Sequence, residues 1–125
     1  MTQPLALFLY EKALPGGQLV NRLQDLGYRV QSISQPATLL ESSQREKPLL
    51  VLADLEPNHE KVSAAISQLK ANTETAHIPV IAFTSNRAAQ SVQAAARNAG
   101  ATLVVNETAI LTHLDHFLDQ ALQVD

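Results

Sequence analysis

Asp54 closes the apolar run Leu49-Leu50-Val51-Leu52-Ala53, so a carboxylate emerges directly from sequence that must be buried. A carboxylate held there has two chemical uses, as a nucleophile toward a phosphoryl or acyl group or as a ligand for a hard metal ion. It has a structural use as well, because aspartate is favoured in turns and at helix N-caps, here ahead of Leu55-Glu56-Pro57. Thr84 closes a second run, Ile78-Pro79-Val80-Ile81-Ala82-Phe83, and the small Ser85 follows it. A hydroxyl beside backbone N–H groups can hold an oxyanion or a phosphoryl oxygen, and the same residues can cap a following helix. Tyr10-Glu11 and Asn106-Glu107 close two further runs.

The elements that position these residues follow from the hydrophobic pattern. Leu5 to Tyr10, Leu49 to Ala53, Ile78 to Phe83 and Ala101 to Val105 are short and mostly continuous, as strands buried on both faces of a parallel sheet are. Tyr28 to Ile33 alternates over its first residues and reads as an edge strand. Between the runs the period becomes helical, with stripes of Leu19, Val20, Leu23 and Leu26, of Val62, Ala65, Ile66 and Leu69, and of Ile110, Leu114, Phe117, Leu118 and Ala121. Asn86 to Ala99 is alanine-rich and stops at Gly100, where a left-handed cap is expected, and Leu39-Leu40 suggests a shorter helix between Pro36 and Pro48. Five strand–helix alternations predict a single (βα)5 doubly wound domain over residues 1–125. In such sheets functional groups gather outside the carboxyl ends of the strands, which is where Glu11, Asp54, Thr84 and Asn106 fall.

Composition removes several function classes. Hydrophobic residues make up 46% of the chain and charged residues 17%, so there is material for a core and no disordered or low-complexity character. The net charge of −3 and the scattering of nine basic residues argue against nucleic acid as a partner. The absence of cysteine excludes disulfides and thiolate chemistry. The apolar start after Met1-Thr2-Gln3-Pro4 is too short for a signal peptide or a membrane span, so a cytoplasmic protein is expected. Pro15-Gly16-Gly17 lies where phosphate loops occur, but lacks the spaced glycines or the lysine such loops need and reads as a turn. His113 and His116 read as a solvated pair and His59 as an exposed residue at a helix start.

In these segments the sequence resembles the receiver domains of two-component response regulators, over nearly its whole length. Leu50 to Asp54, Ile78 to Ser85, Ala99-Gly100-Ala101 with Val104-Val105, and the Leu26-Gly27-Tyr28 turn look like the family's segments. The separations along the chain from Asp54 to Thr84 and from Thr84 to Asn106 also look like the family's. The resemblance implies a flavodoxin-like sheet of strand order 2-1-3-4-5, with Asp54 as phosphoacceptor, Thr84 as a phosphoryl contact and Glu11 with Asp54 as ligands of a weakly held magnesium ion. It implies a signalling role rather than an enzymatic one. The expected partner is a histidine kinase or another signalling protein, and the chain is a monomer or a homodimer.

The departures from the family sit at one edge. Tyr10-Glu11 stands where the family has an acidic pair, and Asn106-Glu107 where it has Lys-Pro. Asparagine in the lysine's place offers only a neutral amide donor, and Glu107 adds a negative charge. Leu103 occupies the place of a strand-five aromatic, and Pro57 arrives one residue early in the loop after Asp54. The reading is a receiver-like signalling domain of a phosphorelay that is degenerate at its metal and lysine positions. With only Leu122 to Asp125 after the last helix, no output domain is expected, and the domain acts through protein contact. A small flavodoxin-like enzyme or cofactor binder using the same sheet edge is the alternative.

Overall fold

A computed structural model describes residues 4–10, 13–56, 59–85 and 90–122, without the side chains of 13–16. In chain order the elements are β1 (Leu5–Leu9), α1 (Ala13–Asp25), β2 (Arg29–Ile33), α2 (Leu39–Glu46), β3 (Leu50–Asp54) and α3 (His59–Ala71). There follow β4 (Val80–Thr84), α4 (Gln90–Ala99), β5 (Leu103–Asn106), α5 (Glu107–Thr112) and α6 (Leu114–Leu122). The strands form one sheet of order β2-β1-β3-β4-β5. All its pairings are parallel, with Leu7 opposite Val51, Leu52 opposite Ile81 and Ala82 opposite Val104. This is the doubly wound, flavodoxin-like α/β fold expected from the sequence.

The continuous apolar runs are two alternating sets of residues serving two cores. Leu7, Leu9, Val51, Ala53, Val80 and Ala82 face a layer made by α2, α3 and α4, where Leu39, Val62, Ala65, Ile66, Leu69 and Ala96 close the packing. Ala6, Phe8, Leu50, Leu52, Ile81 and Phe83 face the opposite layer, closed by Leu19 and Leu23 of α1 and by Ile110, Leu114, Leu118 and Ala121 of the last two helices. The central strands are therefore apolar at every position up to their last residues, Asp54 in β3 and Thr84 in β4, although their side chains alternate. β5 was expected to be buried on both faces; it is an edge strand, half-buried at Leu103, Val104 and Val105, because β4 pairs with only one of its sides.

The strands sit slightly later than the apolar runs suggest. Leu49 is 44% exposed and precedes β3, so the strand carries Asp54 within it rather than after it. β4 and β5 likewise take in Thr84 and Asn106. α1 absorbs Pro15-Gly16-Gly17, which the sequence reading gave to a turn; proline is tolerated in a first turn, where N–H groups lack helical partners. Leu26 leaves the predicted stripe, 41% exposed in the turn where Gly27 takes φ 92° ahead of β2. Gly100 caps α4 at φ 115°, as predicted, and Lys47 takes the left-handed conformation after α2.

The last helix is broken at His113, whose φ of −123° and ψ of 34° leave the helical region. Its N–H still donates to the Ala109 carbonyl, and its own carbonyl accepts from Phe117, so Ile110, Leu114, Leu118 and Ala121 keep to one core across the break. No helix among the described residues is long and apolar enough to cross a membrane.

Candidate functional site

Parallel pairing sets the strand ends side by side. Asp54 lies opposite Phe83 and Thr84 opposite Asn106, so an acid, a hydroxyl and a carboxamide end β3, β4 and β5 in that order. β3 is central, and its side chains are buried throughout; Asp54 is only 2% exposed. The Leu55 N–H donates to the Phe83 carbonyl at 2.9 Å, which extends the β3–β4 pairing one residue past Asp54. The Glu56 N–H donates to Asp54 Oδ1 at 3.0 Å and orients the carboxylate. The plain turn-forming use of aspartate is thus present together with the burial that a reactive carboxylate needs, while α3 begins too late for Asp54 to be its cap.

Thr84 is 1% exposed, and its hydroxyl makes no hydrogen bond with any described residue. A buried hydroxyl left without a partner costs free energy, roughly 1–3 kcal/mol, and an acceptor brought to this edge would recover it. Tyr10 ends the β1 side of the edge. Its N–H donates to the Ile33 carbonyl at 3.0 Å, and its ring packs on Phe8 with centroids 4.4 Å apart, so the aromatic body belongs to the α1 layer.

Asn106 is exposed and does something that the sequence reading missed. Its Oδ1 accepts from the Ala109 N–H at 2.7 Å, which makes it the N-cap of α5. The neutral amide donor expected of this side chain is not engaged by the bond, which takes the oxygen alone. The signal was legible: an asparagine directly before a helical stripe is a favoured N-cap. Leu103, at the place of the family's aromatic, heads β5 opposite Ile81 and packs half-buried in the layer of α1, α5 and α6.

Of the two expected magnesium ligands, Asp54 is at the edge and Glu11 lies outside the described residues, as does Pro57. Among the described residues no group of three His, Cys, Asp or Glu side chains is placed to hold a metal ion. A single carboxylate does not make up the oxygen array that a divalent ion requires, so the described residues do not by themselves fit one. His59 opens α3 half-buried rather than exposed, while His113 and His116 are exposed, the latter beside the Phe117 ring. The break falls at His113 itself, so only His116 lies within a helix.

No protein-family model and no curated protein match the chain, whereas solved structures match over nearly its full length. The parallel sheet and its strand order are the fold of response-regulator receiver domains. The receiver domain of a sensor histidine kinase from Pseudomonas aeruginosa, with magnesium coordinated in its active-site cleft, superposes with a TM-score of 0.83. It is 19% identical, with 97% of this chain and 98% of that one covered. A response regulator from Chloroflexus aurantiacus gives 0.86 at 15% identity over 97% and 98% of the two chains. A Burkholderia pseudomallei response regulator with a phosphorylated aspartic acid, calcium and citrate gives 0.77 at 20% identity, covering 97% of this chain and 67% of that one. At these identities the likeness is one of fold.

Proposed function

We propose that the chain is a receiver-like signalling module, with Asp54 at the phosphoacceptor position, that acts by contact with a histidine kinase or another signalling protein. The observation that carries the reading is the buried Asp54 carboxylate at the end of the central strand, one strand away from the buried Thr84 hydroxyl, which has no hydrogen-bond partner among the described residues. In the chemistry such an arrangement allows, an Asp54 oxygen attacks phosphorus, the bond from phosphorus to the donor's leaving atom breaks, and that atom keeps the electron pair, an imidazole nitrogen where the donor is a phosphohistidine and an acyl oxygen where it is acetyl phosphate. Thr84 then donates to a phosphoryl oxygen. The magnesium and calcium in two similar structures make a weakly held divalent ion at Glu11 and Asp54 part of the proposal.

The same edge argues for a degenerate site. No ammonium stands at position 106, and Glu107 adds a negative charge beside it. A phosphoryl group on Asp54 meets little compensation there. Incubation with magnesium and acetyl phosphate, followed by intact mass, tests the reading. The expected result is a low phosphoryl occupancy that disappears in Asp54→Asn and rises in Asn106→Lys. Occupancy untouched by Asp54→Asn overturns the phosphoacceptor assignment. Full occupancy of the unaltered protein overturns the degeneracy.

A further inference from the structure

The replacement at position 106 removes a charge, and it also gives the end of β5 a different occupation. Asn106 Oδ1 is bound to the Ala109 N–H at 2.7 Å, a short contact that fixes which end of the carboxamide faces α5. Lysine has no acceptor and cannot make this bond. A lysine side chain reaches out on a four-carbon stem, whereas the carboxamide of asparagine sits directly on Cβ. Asp54 lies two strands away across β4, on the order of 10 Å between chains. Asn106 is therefore tied to the element that follows it.

That element is anchored at further points. Ile110, Leu114 and Leu118 are buried in the core under α1, and the break at His113 is bridged by the His113 N–H to the Ala109 carbonyl and the Phe117 N–H to the His113 carbonyl. Ala109 is thus held at both ends, its N–H by Asn106 and its carbonyl by His113. At the head of β5, Leu103 is an aliphatic side chain packed in the same layer.

We propose that Asn106 is a clamp, a positioning residue that holds β5, α5 and α6 in one arrangement whatever the state of Asp54. The surface these elements present to a partner is then constant, and the module signals by being present instead of by being phosphorylated. The inference rests on the receiver reading for the identity of the Asp54 site, and its test separates the two.

The measurement is amide hydrogen exchange and chemical shift of the whole chain. Exchange at Ala109 is expected to rise roughly fivefold in Asn106→Ala, in line with the loss of an N-cap, and to stay unchanged in Asn106→Asp, which keeps the acceptor. Position 106 is exposed, so neither substitution opens a core. The Ala109, Ile110 and Leu114 amides are expected to keep their shifts in Asp54→Asn and on addition of magnesium with beryllofluoride. Unchanged Ala109 exchange in Asn106→Ala overturns the clamp. So does movement of the α5 and α6 amides in Asp54→Asn or with beryllofluoride. A beryllofluoride addition that leaves Asp54 and Thr84 silent counts against the phosphoacceptor reading alone, and the Asp54→Asn comparison then decides the clamp.

Discussion

Gly100 shows how one residue's missing side chain can hold two elements together. Its φ of 115° is a conformation that L side chains rarely adopt, and an added Cβ would stand 2.7 Å from Cγ of Lys70 and 3.2 Å from its Cβ. The lysine stem is not free to swing aside, because Lys70 Nζ donates to the Ile78 carbonyl at 2.6 Å and to the Ala76 carbonyl at 3.2 Å. Burial pushes the Lys70 ammonium below its ordinary value, which marks the same crowding. Backbone strain and the contact act in one direction. Gly100→Ala is expected to destabilise the protein by about 1–3 kcal/mol in urea unfolding, and part of that loss is expected to return when Lys70→Ala is added.

At the scale of an element, α1 offers the opposite case. Gly17 lies within the helix, is exposed, and has nothing within 4 Å of the position an added Cβ would take. Its cost is that of glycine in a helix, extra chain entropy in the unfolded state with no packing in return. Gly17→Ala is expected to stabilise the domain by about 0.5–1 kcal/mol, visible as a higher denaturant midpoint at an unchanged slope. The two glycines carry the same one-letter code. Their opposite signs come from where the helices end and what packs beside them.

For the whole molecule, the decisive feature is that one sheet serves two cores. Leu52 faces the layer of α1, α5 and α6, whereas Ile66 closes the layer of α2, α3 and α4 over the other face of the same strands. Both are fully buried. Leu52→Ala and Ile66→Ala are each expected to cost about 2–5 kcal/mol. Because the layers share β1, β3 and β4, either loss is expected to lower one transition, with far-ultraviolet dichroism and tyrosine fluorescence changing together. Separate transitions for the two signals would show that the layers unfold independently. The same sheet collects the candidate site, since parallel strands deliver all their ends to one edge.

The sequence by itself determined the class of the fold and the edge on which to look. Short apolar runs alternating with helical stripes admit few arrangements, and Asp54 and Thr84 were legible because a polar residue ending a buried run has nowhere to go but the rim of the sheet. Legibility failed where a residue's role depends on groups distant in the chain or on a change of backbone angle. Nothing local distinguishes the exposed Leu49 and Leu26 from their buried neighbours, places β5 at an edge, or breaks the last helix at His113. The cap that Asn106 places on α5 is local and was open to reading, whereas only the tertiary structure decided that β5 lies at the edge of the sheet with its side chains half-buried, because an apolar run carries no record of how many neighbours its strand pairs with.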